Sequence, residues 1–379
     1  MTSWMLICER CGFQGEATRS LWCCPGCGHA LAWRTERLFN RSMIESNRSG
    51  LWRFQRALPL SVDQAYSLGE VTTPLVDVEL DGSMVTCKLE YLSPSGSYKD
   101  RGAAVLVAAL KSLGATHAIE DSSGNAAAAI SAYAAAAELR CTVYAPAAAS
   151  PGKLVQSQSY RATVKRIGGS RDDVATAAMD AAAATPGATY ASHNWHPFFI
   201  EGVKTWALEL WEQLGFQIPD AVVVPVGSGS MLLGAHLAFS SLKNAGEIDR
   251  IPRLFAAQPA ACAPVHAALE CGADDTTLFP KSATIAEGAS IANPVRGKEL
   301  LSAIRGSHGG AVAVSEEGIA EGLRNLASKG IYVEPTSAVA IAGAAELIRS
   351  GTIASSERVV VVLSGSGLKA TDQIRTLLD

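Results

Sequence analysis

One lysine of this sequence stands where covalent chemistry is possible. The segment SPSGSYKDRG, residues 93–102, follows an apolar run at 84–89 that predicts a strand, and its turn-rich residues lead into a predicted helix. Lys99 would therefore lie beside the carboxyl end of a strand, where α/β proteins bind their ligands. Most lysines are solvated surface residues, so this segment alone does not exclude that Lys99 is one of them.

A second segment, EDSSGNAAAA, combines small polar residues with the start of a long helix. Between the predicted strand end and that helix lie Ser122, Ser123, Gly124 and Asn125. Backbone amides and hydroxyls at a helix N-terminus can bind a carboxylate or a phosphate. An ordinary helix N-cap has the same composition, so both interpretations stand.

Two glycine- and serine-rich loops follow valine-rich runs in the second half of the chain. VVVPVGSGSMLLG predicts a strand followed by Gly227, Ser228, Gly229 and Ser230, and VVVVLSGSGLK repeats the design at 364–367. Glycines let the backbone approach an anion closely, so the first loop predicts a phosphate site. A dinucleotide site in a nicotinamide-dependent oxidoreductase is the rival, but Gly234 comes too late for its GxGxxG pattern.

The first 27 residues contain a cysteine cluster. Its spacing is C-x2-C-x12-C-x2-C, formed by Cys8, Cys11, Cys24 and Cys27. Four thiolates at this spacing are typical of a closed structural zinc site. Cys23 is an alternative ligand, and a reduced or degenerate ribbon without metal is the other interpretation. Few basic residues surround the cluster, which argues against nucleic-acid binding.

The overall composition favours a small-molecule role. The chain has 379 residues, a net charge of -4 and a pI near 6.0, so it has no strong basic field that would attract nucleic acid or an anionic membrane. Neither a signal peptide nor an apolar stretch approaching the roughly 20 residues of a membrane span is present, which predicts a cytoplasmic protein.

Short apolar runs alternate with longer helical patterns, which predicts βαβ units. The predicted strands are 84–89, 116–120, 141–145, 163–167, 222–226, 254–257, 311–314 and 359–363. Predicted helices include 101–113, 125–139, 201–214 and 315–328. We therefore expect an α/β fold with doubly wound parallel sheets.

The motif series SGSYKDRG, SSGN, EGVKT, VPVGSGS, EPTSA and SGSGLK resembles that of the fold-type II pyridoxal 5′-phosphate (PLP) enzymes, the tryptophan synthase β superfamily, and most closely threonine synthase. The resemblance implies two doubly wound α/β domains, a small N-terminal zinc-ribbon-like segment and a homodimer. It implies a ribbon at 1–34, a large PLP-binding domain at 35–85 and 195–379, and a smaller domain at 86–194 that carries the lysine and the SSGN loop.

The resemblance also assigns roles around the cofactor. Lys99 would form the Schiff base, and Asn125 would lie beside the phenolic oxygen. The phosphate would be held by Gly227, Ser228, Gly229, Ser230 and Met231, and Ser364 would hydrogen-bond the pyridine nitrogen. A neutral hydroxyl there makes the ring a weaker electron sink than a carboxylate partner would, which favours prompt loss of a side-chain leaving group.

Several positions depart from the threonine synthase pattern. The family stretch is commonly NPxRLEGQKT, whose arginine helps to bind the phosphate of O-phosphohomoserine, whereas this chain has HPFFIEGVKT with Phe199 at that place. A phenyl ring lacks the bidentate donors of arginine. Ala126 replaces a hydroxyl residue, Ser366 replaces a histidine, and the family's GNGGN is GSGSM here. The His-Pro-Phe at 196–198 is similar to that of threonine and serine dehydratases.

These features predict a threonine synthase-like lyase or synthase that acts on a small amino acid by β- or γ-elimination or replacement. The intermediate would be an aminoacrylate or aminocrotonate, and O-phosphohomoserine would not be the best substrate. The predicted substrate-binding residues are Ser122, Ser123, Gly124, Asn125, His193, His196 and Phe199. The alternatives are a serine or threonine ammonia-lyase and a non-catalytic PLP-binding regulatory protein.

Overall fold

The computed structural model describes residues 4–60 and 66–378; residues 1–3, 61–65 and 379, which the predicted domain ranges include, lie outside the described part. The strands are β1 Met5–Ile7, β2 Gln14–Glu16, β3 Ala32–Trp33, β4 Leu75–Leu80, β5 Ser83–Lys88, β6 His117–Glu120, β7 Arg140–Pro146, β8 Thr163–Ile167, β9 Ala188–Tyr190, β10 Ala221–Pro225, β11 Arg253–Pro259, β12 Gly310–Val314 and β13 Val359–Val362.

The α-helices alternate with these strands. They are α1 Lys99–Ser112, α2 Asn125–Ala136, α3 Pro151–Ser159, α4 Arg171–Ala184, α5 Pro197–Val203, α6 Thr205–Gln213, α7 Ser230–Asn244, α8 Pro264–Glu270, α9 Gly297–Gly306, α10 Glu316–Ser328, α11 Pro335–Arg349 and α12 Thr371–Leu378. A 3-10 segment, Gly50–Ala57, is kinked at Phe54. No helix within the described ranges is both long enough and apolar enough to cross a membrane.

The chain divides into two compact units whose boundaries differ from the predicted ones. Unit 1 comprises Met1–Val71 and Lys99–Thr205, and unit 2 comprises Thr72–Tyr98 and Trp206–Asp379. The predicted large domain began at residue 35 and resumed at 195, and the predicted smaller domain began at 86. The structure instead places 35–71, Lys99 and 195–205 together in unit 1, and 86–98 in unit 2.

Specific contacts account for these corrections. The buried carboxylate of Glu70 accepts hydrogen bonds from Trp52 Nε1 at 2.9 Å and Tyr133 OH at 2.6 Å, which ties Trp52 and Glu70 to α2 in unit 1. In unit 2, β5 pairs with β13 and with β4, so residues 83–88 belong to that unit's sheet.

Unit 2 is built on a six-stranded sheet in the order β12-β11-β10-β13-β5-β4. All neighbouring pairs are parallel except β4 and β5, which form an antiparallel hairpin at the edge. The central strands β10 and β13 are buried along their whole length, as expected for a parallel sheet covered on both faces. The alternating LVDVEL sequence of β4, which the sequence analysis did not identify, suits a half-exposed edge strand.

Unit 1 contains a four-stranded parallel sheet in the order β8-β7-β6-β9 and a three-stranded antiparallel sheet in the N-terminal segment. Trp22 of that segment makes edge contacts with Tyr190 at 4.8 Å and with Trp195 at 5.4 Å between ring centroids. Trp4 contacts Phe198 of α5 in the same way, at 5.3 Å. The N-terminal segment is therefore packed on the part of unit 1 that contains β9 and α5.

Two glycines allow α1 and α5 to cross closely within unit 1. A Cβ atom on Gly202 would lie 2.1 Å from the carbonyl oxygen of Arg101, and one on Gly102 would lie 2.6 Å from the ring of Phe199. The predicted helix over 201–214 is in fact two helices, α5 and α6. They separate next to Lys204, where the Thr205 hydroxyl donates to the carbonyl oxygen of Gly202 at 2.7 Å.

Gly202→Ala is expected to destabilise the protein, because its obstacle is backbone that cannot rotate away. We expect a loss of about 1–3 kcal/mol in the free energy of unfolding, measured by urea denaturation. Gly152→Ala on α3 is the matched control, since nothing lies within 4 Å of the point that its Cβ would occupy, and it should stabilise by up to about 1 kcal/mol. Equal effects of the two variants would contradict this account of the crossing.

Unit 2 also contains a buried polar cluster centred on Lys88, the last residue of β5. Lys88 Nζ donates to Glu209 Oε1 at 2.8 Å, to Thr73 Oγ1 at 2.7 Å and to Gln213 Oε1 at 2.8 Å. A second carboxylate, Glu90, lies 3.7 Å from the same ammonium, and Lys88 and both glutamates are 0% exposed. The Lys88 ammonium therefore lies within ion-pair distance of two buried carboxylates next to the end of β5.

Candidate active site

Three of the predicted site residues meet around one phenyl ring in unit 1. Lys99 is the first residue of α1 and is half-buried, and its Nζ lies 5.6 Å from the centroid of the Phe199 ring. His193 packs against the same ring edge-on, with 5.8 Å between ring centroids. Phe199 itself is fully buried. The Phe199 ring therefore contacts both the Lys99 ammonium and the His193 imidazole, and it forms an apolar surface beside the lysine.

His193 is held by a carboxyl group that the sequence analysis did not single out. Glu120 is the last residue of β6, and His193 follows β9, which pairs in parallel with β6, so the ends of both strands meet at one sheet edge. His193 Nδ1 lies 2.7 Å from Glu120 Oε1, and Glu120 is 0% exposed. The acidic residue at the strand end in EDSSGN was the available signal.

Burial moves both members of this pair towards neutrality. Burial, together with the charge of Asp121, raises the pKa of Glu120 well above its ordinary value. Burial also lowers the pKa of His193 well below its ordinary value, and the positive charges of Lys99 and Arg171 add to that effect. Burial thus disfavours the charged form of each partner, while Nδ1 and Oε1 lie within hydrogen-bonding distance.

The loop predicted to bind an anion follows Glu120 directly. Ser122, Ser123, Gly124 and Asn125 are all half-buried, and Asn125 begins α2. The N-cap is Gly124, which has no side chain to cap the helix, and its N–H donates to Ser122 Oγ at 3.2 Å. A simple side-chain cap by the residue before α2 therefore does not explain the motif.

The second predicted histidine has a different environment. His196 is 1% exposed and stacks at a tilt on Phe198, with 5.1 Å between ring centroids. Phe198 in turn contacts Trp4 of the N-terminal segment. The ring contacts thus place His196 in an aromatic stack, apart from the Phe199 ring that Lys99 and His193 share.

In unit 2 the predicted phosphate loop connects β10 to α7. Gly229 is the N-cap of α7, with φ of 83° and no side-chain cap, and a Cβ atom there would lie 2.4 Å from Leu300. A Cβ on Gly227 would lie 2.8 Å from the carbonyl oxygen of Gly288. Both positions therefore require glycine. The uncapped amides of the first turn point out of the helix end, which is the arrangement that binds phosphate.

Ser364 and the phosphate loop leave neighbouring strands of the unit 2 sheet, β13 and β10, at the same edge. Ser364 is 2% exposed, and its Oγ lies 3.1 Å from Ser337 Oγ. Tyr98 joins the two loops, because its OH lies 3.0 Å from Ser230 Oγ and its N–H donates to the carbonyl oxygen of Ser364 at 3.0 Å.

Tyr98 and Ser337 were not identified as site residues, although both lie in quoted motifs. Tyr98 is the residue before Lys99 in SYKDRG, and Ser337 belongs to EPTSA at the start of α11. Ser337 Oγ also accepts from the N–H of Gly365 at 2.8 Å. EPTSA therefore supports the loop that contains Ser364.

These donors are chemically suited to pyridoxal phosphate. Unit 2 offers glycine amides, a helix N-terminus and the hydroxyls of Ser230 and Tyr98 to an anion, and the neutral Ser364 hydroxyl to a ring nitrogen. Unit 1 offers an amine at Lys99 and the amide of Asn125. The residues present thus fit the chemical groups of the cofactor that the motif resemblance implies.

The four predicted metal ligands in unit 1 form one cluster. The sulfur atoms of Cys8, Cys11, Cys24 and Cys27 all lie within 4.8 Å of one another. Two pairs are closer, Cys8–Cys27 at 3.5 Å and Cys11–Cys24 at 3.4 Å. A tetrahedral zinc site with Zn–S bonds of about 2.3 Å requires sulfur separations of about 3.8 Å. Cys24, the predicted ligand, is in the cluster, whereas Cys23 pairs with Ala30 in a β-bridge.

Comparison with known proteins gives consistent matches. The family described as "Pyridoxal-phosphate dependent enzyme" matches residues 66–365. The chain is 34% identical over 378 residues to the threonine synthase of Methanocaldococcus jannaschii, covering 96% of this chain and 93% of that protein. It is 30% identical over 378 residues to the threonine synthase of Methanosarcina acetivorans, covering 96% and 92%.

Two solved structures are similar as well. The threonine deaminase of T.th. has a TM-score of 0.66 and 27% sequence identity, covering 78% of this chain and 92% of that chain. Maize serine racemase has a TM-score of 0.68 at 22% identity, covering 81% and 92%, a likeness that concerns the fold alone.

Proposed function

This chain belongs to the family of pyridoxal-phosphate dependent enzymes, and from that premise we propose that it is a threonine synthase-like lyase or synthase acting on a small amino acid by β- or γ-elimination or replacement. The observation that carries the proposal is the position of Lys99 at the start of α1, with its Nζ over the Phe199 ring and His193 against the same ring. An amine beside an apolar surface is suited to both covalent attachment and proton transfer.

The cofactor would be held by residues of known position in their own units. Lys99 and Asn125 belong to unit 1, and Gly227, Ser228, Gly229, Ser230, Met231 and Ser364 belong to unit 2. When bound, pyridoxal phosphate supplies an electron sink for the pair of electrons left when a bond to Cα breaks. The α7 N-terminus would bind its phosphate, and Ser364, held by Ser337, would donate to or accept from its ring nitrogen.

The chemistry of the chain's own residues begins with Lys99. Lys99 would anchor the cofactor and, as a free amine, would take the Cα proton of the substrate. The Phe199 ring keeps water away from one side of that amine, because it is fully buried against Gly102. The half-buried amides and hydroxyls of residues 122–125 would bind the substrate carboxylate.

Phe199 restricts the charge that the substrate side chain can have. A buried phenyl ring 5.6 Å from Lys99 Nζ offers no hydrogen-bond donor to a phosphorylated side chain, and burial lowers the pKa of His193 beside it, which disfavours a cationic imidazole there. Desolvating a dianionic phosphate without charged donors would cost several kcal/mol. We therefore propose an uncharged side chain with a hydroxyl or acyloxy leaving group rather than the phosphate ester of homoserine.

A second candidate function is a serine or threonine ammonia-lyase. Phe199 favours it, because elimination from a hydroxy amino acid requires no phosphate-binding arginine. The likeness to threonine deaminase at 27% identity gives it further support. The two candidates differ in the second half-reaction, which releases a keto acid in one case and adds a nucleophile in the other.

A substrate screen tests the proposal. Purified protein would be loaded with pyridoxal phosphate, and its visible absorption spectrum recorded with L-serine, L-threonine, O-acetyl-L-homoserine and O-phospho-L-homoserine, with products identified by mass spectrometry. We expect a spectral change and turnover with an uncharged substrate. A spectrum that no amino acid alters would favour a non-catalytic binding protein, and efficient formation of threonine from the phosphate ester would refute the inference from Phe199.

We further propose that the four-cysteine cluster binds structural zinc. The expected content is about one zinc ion per chain by atomic emission, lost in Cys24→Ser because one of four ligands is missing. Since Trp22 contacts Tyr190 and Trp195, loss of the ion should also change the intrinsic tryptophan fluorescence and lower the thermal midpoint. Cys23→Ser, which alters the adjacent cysteine, is the matched control; zinc loss in that variant and not in Cys24→Ser would contradict the assignment.

A further inference from the structure

Glu120 contacts His193 through one carboxyl oxygen, in a fully buried position. Glu120 is fully buried at the end of β6, and its Oε2 has no hydrogen-bond partner among the described residues. Its Oε1 is 2.7 Å from His193 Nδ1. An ionised carboxylate with a bare oxygen in this position would be costly, whereas a neutral acid can leave its carbonyl oxygen unpaired at much lower cost. A protonated carboxyl whose O–H donates to Nδ1 would satisfy this geometry.

Several charged groups lie near the Glu120–His193 pair. Arg171 Nη2 donates to Asp121 Oδ2 at 2.6 Å, and Ser192 Oγ donates to Asp121 Oδ1 at 3.2 Å, so Asp121 forms the ion pair in this region. Lys99 is the other cation whose charge reaches both Glu120 and His193. Lys99 and His193 lie on one phenyl ring. The Glu120–His193 pair therefore lies near the Lys99 amine, which takes part in the proposed chemistry.

We propose that Glu120 and His193 form a proton relay that protonates the departing oxygen of a hydroxyl-bearing amino acid, an inference that rests on the function proposed above. A Glu120 O–H that donates to Nδ1 fixes the imidazole in the tautomer with its proton on Nε2. His193 can then give the Nε2 proton to a leaving oxygen while it receives a proton at Nδ1. Glu120 is a positioning residue that also supplies the replacement proton.

The step balances in atoms and charge. The Cα–H bond breaks, and its proton passes to Lys99 Nζ. The Cα–Cβ double bond forms as the Cβ–O bond breaks. The departing oxygen takes the Nε2 proton of His193 and leaves as water. Nδ1 takes the Glu120 proton, so a positive charge at Lys99 and a negative charge at Glu120 appear together. Since each favours the other, the new ammonium assists the carboxyl in releasing its proton. The ammonium later returns a proton to the pair, which restores the starting state.

A comparison of leaving groups tests the relay. Departure of hydroxide from L-serine requires a proton, whereas departure of chloride from β-chloro-L-alanine does not, and both substrates give the same product. In His193→Gln, kcat/KM for L-serine should fall about 10²-fold or more, while that for β-chloro-L-alanine should stay within about threefold. Glu120→Gln retains a hydrogen bond to Nδ1 but has no acidic proton, so its loss should be about tenfold and again confined to L-serine.

Controls separate this inference from the function itself. His117→Gln changes a histidine at the other end of β6, bonded to Thr142, and should leave the ratio of the two rates unchanged. The visible spectrum of the bound cofactor verifies that each variant is folded and loaded. Equal losses on both substrates, or a wild type that accepts only the chloride, would overturn the relay and leave the proposed function standing. A wild type inactive on every amino acid would overturn both.

Discussion

Lys99→Ala is expected to lose at least about 10³-fold in kcat/KM, because it removes both the covalent attachment point and the base that takes the Cα proton. The variant should also lose the visible absorption band of the lysine-linked cofactor. Its free energy of unfolding should change by no more than about 1 kcal/mol, since Lys99 is half-buried at the first position of a helix. Steady-state kinetics, absorption and urea denaturation measure the three effects.

Lys111→Ala is the matched control, because Lys111 lies in the last turn of the same helix, where its Nζ donates to the carbonyl oxygen of Ala137 at 2.7 Å. It should retain the band and turn over at nearly the wild-type rate. A Lys99→Ala protein that keeps both its band and its activity would show that another residue holds the cofactor.

Lys88→Met is expected to produce the opposite pattern, a large loss of stability. The variant keeps the volume of the side chain but removes the buried ammonium that the carboxylates of Glu90 and Glu209 contact. Removing one partner of a buried ion pair costs about 3–5 kcal/mol. The urea midpoint should fall accordingly, while Lys99 keeps its cofactor under native conditions.

A second substitution tests the electrostatic reason for that loss. Adding Glu209→Gln to Lys88→Met removes the charge of one carboxylate that lost the Lys88 contact and keeps a hydrogen-bonding group beside Thr73. The double variant should therefore recover part of the stability. A double variant that is less stable than Lys88→Met would show that packing, and not charge, determines the effect.

The fold class followed from the sequence because valine-rich runs and helix-opening loops are local signals. The buried strands β10 and β13 were predicted within one residue at each end, and the fold-type II class agrees with the family match and with the solved relative. The unit boundaries were predicted less well. They depend on long-range contacts, such as Tyr133 to Glu70 and Gly202 to Arg101, that no local pattern shows.

The sequence predicts site residues where they lie in motifs. Lys99, the phosphate loop and Ser364 each follow a strand, and their roles stay predictions. Glu120 could not be assigned, because its partner His193 is 73 residues away and the two meet only through the parallel pairing of β6 with β9. The separation of His196 from His193 likewise depends on which neighbouring phenylalanine each ring contacts.

The most direct test of the account is to locate the cofactor on the chain. The wild-type protein would be loaded with pyridoxal phosphate, reduced with borohydride, digested and analysed by tandem mass spectrometry. We predict a single pyridoxyl group on Lys99, in the peptide that contains SYKDRG. A pyridoxyl group on Lys88, Lys204 or any other lysine, with Lys99 unmodified, would contradict the central claim.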